Sequence, residues 1–169
     1  ELKNPDMIIL PGTKNTMEDL LWMRENGLEA AVLKAAAAGC IVFGICGGYQ
    51  MLGDTLSDPY HVEAGGKIRG MGLLPMDTVF ASKKTRTRVT GQFLPMPGTF
   101  AALSGVSLEG YEIHMGESVR KEGILPATKL MVAGNQPEET KTEGAFHENV
   151  CGTYVHGVFD KEEVVETLI

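Results

Sequence analysis

Residues 41–50 of the chain read Ile-Val-Phe-Gly-Ile-Cys-Gly-Gly-Tyr-Gln, and this stretch decides the fold. Residues 41–45 have the length and apolar character of a strand that is buried on both faces of a parallel sheet. Residues 47–56 are predicted to form the helix that follows it. Cys46 lies between the two with Gly44 and Gly47 nearby, which is the arrangement of a nucleophile elbow. Cys46 is therefore the predicted nucleophile.

The residues before this stretch predict a first strand and two helices. Residues 7–10 form a continuous apolar run, which Pro11-Gly12 ends. Thr16 is predicted to cap a helix that stops at Asn26-Gly27, and residues 28–38 are predicted to form a second helix. Strand, helix and strand in this order imply a right-handed crossover in a parallel sheet. We therefore expect an α/β fold, a three-layer sandwich in which helices flank a central, mostly parallel sheet.

The rest of the chain has a different pattern. Its middle is typical of a mixed or antiparallel region, whereas its end returns to strand and helix. The predictions are extended segments at residues 72–80 and 85–93, a strand at residues 111–114, a mobile polar loop at residues 134–144, a last strand at residues 150–155 and a last helix that Asp160 opens.

Composition narrows the class of protein. The 169 residues, 43% of them hydrophobic, suit one domain with a full core. A net charge of −7 argues against nucleic acid as a partner, and no apolar run is long enough for a membrane span. Three cysteines without a zinc-binding spacing predict a reduced, cytoplasmic setting and no metal site. The first residue is Glu1 rather than Met, so we expect an excised part of a longer protein.

The one basic cluster is residues 83–88, Lys-Lys-Thr-Arg-Thr-Arg. Its plain interpretation is a solvated edge strand. The alternative is a docking patch for an acidic partner or substrate.

A thiol nucleophile needs a group that takes its proton and later returns it to the leaving group. His156, which ends a predicted strand, is the candidate, and His114 is the runner-up. The turn at Cys46 also places the sulfur at a helix N-terminus, where the dipole favours the thiolate. The backbone N–H groups of Gly12 and Gly47 are the predicted oxyanion donors. The remaining histidines and cysteines are predicted to be bystanders or structural: His61, His147, Cys40 and Cys151.

Several segments together resemble a known family. Residues 44–50 match the G-x-C-x-G-x-Q pattern of the class I, or triad-type, glutamine amidotransferases throughout. Residues 10–14, 44–53, 110–116 and 154–160 more closely resemble the amidotransferase domains of the cobyric acid synthase family. The resemblance implies a class I glutamine amidotransferase-like, flavodoxin-like fold with an antiparallel extension, formed by residues 1–169 as one glutaminase domain.

The resemblance also implies a mechanism and partners. Glutamine is hydrolysed through a thioester on Cys46, with His156 as the acid and base and with Gln50 helping to hold the substrate. The ammonia passes to an ATP-dependent synthetase domain, expected before Glu1, which amidates side-chain carboxylates of a cobyrinic acid a,c-diamide. ATP and Mg²⁺ are expected only there, because this chain lacks a phosphate-binding P-loop. No cofactor is expected in this domain.

One position departs from the wider class. Most triad amidotransferases read H-x-E, whereas Val158 stands here at the Glu position. This absence is typical of the cobyrinate and cobyric acid branch, and it leaves open what orients His156. Glu112 and Asp160 are candidates, and a Cys–His dyad is the third option. Our hypothesis is that Glu112 contributes through its strand.

Two alternatives to this function remain open from the sequence. The first is a sister amidotransferase that acts on the a and c carboxylates of cobyrinate or on a cell-wall lipid precursor. The second is a non-catalytic subunit that only binds glutamine or a partner.

Overall fold

The computed structural model of the chain describes residues 2–133 and 139–169. Its first half begins with a strand, two helices and a second strand, as the apolar runs predict. The elements are β1 (Met7–Leu10), α1 (Thr16–Glu25), α2 (Leu28–Ala37), β2 (Ile41–Ile45), α3 (Gly47–Met51), β3 (Thr55–Asp58), β4 (Gly66–Arg69) and β5 (Met76–Phe93).

A 3-10 helix at Gly98–Leu103 separates this half from the second, which is mostly strand. The second half contains β6 (Ser107–Arg120), β7 (Thr128–Val132), β8 (Thr140–Glu143), β9 (Ala145–His147), β10 (Val150–Thr153), β11 (Val155–His156) and α4 (Glu162–Leu168).

The predicted parallel sheet is confirmed, with the strand before Cys46 near its centre. Its four strands lie in the order β1-β2-β10-β9, and both β1 and β10 run parallel to β2. Val42 packs on one side of the sheet in a cluster with Leu20 of α1 and Val32 of α2. Phe43 packs on the other side and is fully buried. Burial on both faces is what the apolar run of β2 requires.

The predicted extension is larger than the parallel sheet, and it is antiparallel except for the parallel pairing of β3 with β5. It contains seven strands in the order β11-β6-β5-β3-β4, with β7 paired to β5 and β8 to β7. Buried residues of β5, β6 and β7 share one core with Phe43, together with residues of the 3-10 helix and α4. The second face of the parallel sheet is therefore covered largely by a second sheet.

The last predicted strand, residues 150–155, is in fact two strands in different sheets. Thr153 pairs with Ile45 of β2, whereas Val155 pairs with Glu112 of β6. The buried carboxylate of Glu143 holds this corner, because it accepts hydrogen bonds from the Thr153 hydroxyl at 2.8 Å and from the Tyr154 backbone N–H. The corner directs His156 away from the parallel sheet.

Other element boundaries also differ from the sequence predictions. The predicted helix 47–56 ends at Met51, because residues 55–58 leave it to pair with β4 and β5. Asn15, not Thr16, caps α1, and its side chain accepts the Glu18 N–H. The last helix begins at Glu162, after Asp160.

The predicted loop 134–144 is partly a strand. Residues 140–143 form β8, which pairs with β7. Residues 134–138 lie outside the described residues. None of the described helices is long and apolar enough to cross a membrane.

The close approach of α3 to β1 gives a test of this packing. A Cβ added at Gly48 would lie 2.0 Å from the Leu10 carbonyl oxygen. We expect Gly48→Ala to lower the free energy of unfolding by about 3 kcal/mol, as overpacking against rigid backbone does. Urea unfolding with the linear extrapolation measures it.

The matched control is Gly27→Ala, where the new methyl group meets nothing within 4 Å and only the positive φ of 74° opposes it. That strain costs roughly 1 kcal/mol. Equal losses of stability in the two variants would contradict the close approach at Gly48.

Candidate active site

Cys46 occupies a strained turn between β2 and α3. Its φ of 52° and ψ of −110° lie in a region that L-residues rarely adopt. Two hydrogen bonds hold the turn: the Cys46 N–H donates to Thr153 O at 2.9 Å, and the Gln50 N–H donates to Cys46 O at 3.0 Å. A Cβ at Gly44 would lie 2.7 Å from the backbone of Tyr49, so only glycine fits there. This geometry is that of the predicted nucleophile elbow.

Gly12 and Gly47 both lie against the Cys46 turn. A Cβ added at Gly12 would lie 3.0 Å from His156 Cε1 and 3.6 Å from Cys46 Cβ, and one at Gly47 would lie 2.9 Å from Thr13 N. Within the described residues, neither glycine N–H donates to a backbone carbonyl outside regular helices and strands, whereas the Gly48 N–H donates to Pro11 O. Both glycines therefore lie close to Cys46.

Cys46 and His156 line the same cavity, whose volume is about 340 Å³. The rest of its wall comes from the β1–α1 region, from the loop that follows β3, and from the strands β5 and β6. The residues that matter below are Thr16, Gln50, Glu63, Lys84 and Ile113. The elbow and the corner after β10 thus bring the predicted nucleophile and the predicted acid and base to one site, although they are far apart in sequence.

The two groups meet at a single backbone oxygen. The Cys46 thiol donates to Ile113 O at 3.3 Å, and His156 Nε2 lies 3.3 Å from the same oxygen. A carbonyl oxygen can only accept, so the second contact is a hydrogen bond when Nε2 carries the proton. In this arrangement the thiol is protonated and bonded to β6.

The pKa of Cys46 does not follow the sequence-based expectation of a stabilised thiolate. The pKa of the thiol is raised to about 11, chiefly by burial; the Gly47 N–H lowers it and the negative charge of Glu63 adds a smaller rise, and both are included in that value. The α3 helix has only five residues, so its dipole is small. Desolvation therefore outweighs the dipole in this arrangement.

Gln50 is buried and its amide is fully engaged. Its Oε1 accepts from the Thr16 hydroxyl at 3.2 Å, and its Nε2 donates to Met115 O and to the Tyr154 hydroxyl, each at 3.2 Å. The Tyr154 hydroxyl also bonds Ser118 at 2.6 Å. These contacts fix the part of the cavity wall that Gln50 forms.

Glu112 does not reach His156. Opposite residues of paired strands share a face, and neighbours along a strand alternate, so Glu112 lies with Val155 while His156 lies with Tyr111 on the other face. The carboxylate of Glu112 instead forms ion pairs with His114, at 3.4 Å, and with Lys141. Burial opposes ionisation of Glu112, but these two contacts lower its pKa overall. The hypothesis that Glu112 orients His156 does not fit this geometry.

Among the described residues, neither the His114 ring nor the Asp160 carboxylate forms a hydrogen bond or ion pair with the side chain of Cys46 or His156. The ring of His114 stacks on Tyr154 with 3.7 Å between the ring centroids, and its Nδ1 bonds Gly116 O at 3.0 Å. Asp160 lies in the turn after His156, and its N–H donates to Gly157 O at 3.0 Å. Among the described residues, no carboxylate forms a hydrogen bond or ion pair with the His156 ring. Of the three options for the support of His156, this geometry is compatible with the Cys–His dyad.

Glu63 is the residue of the cavity that the sequence analysis missed. It lies in the loop after β3, which the carboxylate of Asp58 holds through the N–H groups of Val62, Glu63 and Gly65. The Glu63 carboxylate accepts from the Thr16 and Met17 N–H groups at 3.0 and 2.9 Å, so it caps α1. No local pattern marks such a cap, because it reaches α1 from a distant loop. The described residues contain no cluster of three or more His, Cys, Asp or Glu that could hold a metal ion.

Comparisons with known proteins show the family of the chain. The model of the CobB/CobQ-like glutamine amidotransferase domain matches residues 1–164. The chain is 54% identical over 168 residues to a cobyric acid synthase of Ruminiclostridium cellulolyticum, covering 99% of this chain and 33% of that protein. It is 48% identical over 176 residues to that of Lachnoclostridium phytofermentans, covering 100% of this chain and 34% of that protein. The chain thus spans about a third of the length of these relatives.

A solved structure agrees on the fold. The structure of PurLQS from Thermotoga maritima superposes with a TM-score of 0.64 at 20% identity, covering 99% of this chain and 80% of that chain. At that identity the likeness shows the fold alone.

The high pKa of Cys46 and its cause can be tested by alkylation. We expect iodoacetamide to label Cys46 slowly at neutral pH, with a rate that rises toward pH 11, because only the thiolate reacts. Glu63→Gln removes a nearby negative charge, so it should shift the rate profile toward lower pH. Mass spectrometry of the Cys46 peptide measures labelling separately from Cys40 and Cys151.

The control is Glu18→Gln, which removes an exposed charge in the first turn of α1. It should leave the profile unchanged. A Glu63→Gln profile that coincides with the unsubstituted protein would exclude Glu63 as a source of the shift.

Proposed function

This chain belongs to the CobB/CobQ-like glutamine amidotransferase family, and from that premise we propose that it releases ammonia from glutamine through a Cys46 thioester. We further propose that residues 1–169 form the glutaminase domain at the C-terminal end of a longer cobyric acid synthase. One observation carries the catalytic proposal. The strained elbow places Cys46 in one cavity with His156, close to Gly12 and Gly47.

The first half of the proposed reaction forms the thioester. Glutamine displaces the contacts with Ile113 O, which frees the thiol and the imidazole. His156 takes the Cys46 proton, and the sulfur attacks the side-chain amide carbon. The amide oxygen becomes an oxyanion, which the N–H groups of Gly12 and Gly47 stabilise. The carbon–nitrogen bond breaks as His156 returns the proton to the nitrogen, and ammonia leaves.

The second half regenerates the enzyme. His156 takes a proton from a water molecule, whose oxygen attacks the thioester carbonyl. The same N–H groups stabilise the second oxyanion. The carbon–sulfur bond then breaks, glutamate leaves and Cys46 recovers its proton. No carboxylate is needed in these steps, which suits a dyad.

The cavity also contains groups that suit the other end of glutamine. Glutamine carries an α-ammonium and an α-carboxylate. Glu63 is the carboxylate that lines the cavity, and its orientation is fixed by the two N–H groups of α1. We assign it to the ammonium group. Lys14 and Lys84 line the same cavity and supply positive charge for the carboxylate. Gln50, whose amide is already fixed, shapes the wall against which the substrate lies.

The proposed acceptor lies on the rest of the longer protein. Both relatives named above are cobyric acid synthases, and this chain covers about a third of each. We propose that a synthetase domain binds ATP and Mg²⁺ and amidates side-chain carboxylates of a cobyrinic acid a,c-diamide. The names of these relatives favour this acceptor over the a and c carboxylates of cobyrinate or a cell-wall precursor.

Substitution of the nucleophile in the full-length protein tests the proposal. Cys46→Ala should lower glutamine-dependent amidation by about 10⁴-fold or more, because covalent catalysis is lost. Amidation with ammonium chloride should stay unchanged, because the synthetase site is separate. Both rates are measured by formation of the amidated product.

Cys40→Ala is the matched control, since it removes a thiol outside the cavity and should leave both rates unchanged. Glutamine-dependent amidation that survives in Cys46→Ala would refute the proposal.

Substitution of Glu63 tests the assignment of the ammonium site. Glu63→Gln should raise the KM for glutamine by about tenfold or more, because a charge-assisted hydrogen bond contributes roughly 1.5–3 kcal/mol. The kcat should fall much less, since the ammonium group is remote from the reacting amide. Steady-state glutaminase kinetics measure both constants.

Glu18→Gln serves again as the control and should leave the KM unchanged. If Glu63→Gln lowered kcat alone, the carboxylate would act on the chemistry rather than on the ammonium group.

A further inference from the structure

The basic cluster of the sequence forms a row of three cations on β5. Lys84, Arg86 and Arg88 alternate with Thr85 and Thr87 along the strand. Alternate residues of a strand share a face, about 7 Å apart. The three cations are all exposed. We call them the cationic row.

The row is not explained by stability. Among the described residues, none of its three side chains forms a salt bridge, whereas Lys121, Lys141 and Arg24 each pair with a carboxylate. Three neighbouring positive charges repel one another, and they stand out on a chain with a net charge of −7. A cluster that costs stability without a partner in the same chain suggests a partner outside it.

The row lies beside the candidate active site. In the register of β5 and β6, Arg86 is opposite Ile113 and Arg88 is opposite Tyr111, which is itself opposite His156 of β11. Opposite residues share a face, so the row lies on the face of Ile113 and His156. Lys84 lines the Cys46 cavity directly. One end of the row therefore borders the cavity.

We propose that the Arg86 and Arg88 end of the cationic row is the surface on which acidic side chains of the ammonia-accepting synthetase domain dock, whereas Lys84 belongs to the glutamine cavity. This inference rests on the proposed function, since it assigns the place where ammonia changes hands. The partner is a protein surface rich in Asp and Glu.

The shape and composition of the face favour a protein over a small polycarboxylate. The row lies on an open strand face, whereas small ligands bind in concave sites. Tyr111 lies on the same face and is 52% exposed. Exposed tyrosine and arginine together are typical of protein–protein interfaces. Glu109, which is opposite Thr90, is an exposed negative charge at the far end of this face. It bounds the row.

Docking at the row also acts on the element that holds the catalytic pair. Ile113 O bonds the Cys46 thiol, and Ile113 is opposite Arg86 across the β5–β6 ladder. A partner seated on the row therefore contacts the strand pair that contains the oxygen shared by thiol and imidazole.

The test is a charge reversal in the full-length protein, Arg86→Glu with Arg88→Glu. Lys84 stays native because it lines the cavity. Loss of charge complementarity disrupts an interface strongly, and weaker docking lets ammonia escape. We therefore expect the ratio of glutamate formed to amide formed to rise about tenfold. Amidation with ammonium chloride, including the KM for the acceptor, should stay within about twofold. Arg86→Gln with Arg88→Gln should show a smaller rise.

The matched control is Lys67→Glu with Arg69→Glu, which reverses two exposed alternate cations on β4, at the other edge of the same sheet. It should leave the ratio unchanged. A ratio that stays unchanged in both the Glu and the Gln variants at positions 86 and 88 would overturn the inference. The inference would also be overturned if the KM for the acceptor, measured with ammonium chloride as donor, rose by as much as the ratio does. The row would then bind the acceptor itself. If instead Cys46→Ala kept glutamine-dependent amidation, the proposed function would fail, whatever the row does.

Discussion

The site depends on the hydrogen bonds that Thr153 makes at the corner between the two sheets. Its carbonyl oxygen accepts a hydrogen bond from the Cys46 N–H. Its hydroxyl donates to the Glu143 carboxylate and accepts from the Val155 N–H at 3.1 Å. One residue thus ties the nucleophile turn to the bend that positions His156. Glu143 is fully buried, which raises its pKa, and three donors offset part of that cost. If β10 simply continued beside β2, His156 would leave along the parallel sheet and away from the elbow.

Much of the parallel half could be predicted from the sequence, because its signals are local. Three local patterns predict the backbone conformation where they occur: the apolar run of β2, the glycines around Cys46 and the Pro11-Gly12 turn. The break between β10 and β11 has no such signal, since it depends on Glu143 from another strand. The early end of α3 likewise reflects the pairing of β3 with β4 and β5. Long-range pairing overrides local propensity in both cases.

The candidate site divides in the same way. Residue types with their own chemistry, Cys46 and His156, were predictable, and the fold brings them to one cavity. The group that supports His156 could not be predicted. Glu112 lies on the opposite face of the β6–β11 pair from His156, where His114 and Lys141 contact its carboxylate. The pKa of Cys46 could not be predicted either. Desolvation of the thiol depends on the residues that the fold packs around it, whereas the sequence shows only the helix N-terminus, which acts to lower the pKa.

The contact between the Cys46 thiol and Ile113 O has a consequence for the survival of the protein. Peroxide and similar oxidants attack thiolates far faster than thiols, and they need access to the sulfur. Cys46 is only 8% exposed and keeps its proton on a hydrogen bond to a backbone oxygen. A thiol held in this form resists conversion to sulfenic acid. The same strand that holds the thiol therefore also protects the sulfur from oxidation.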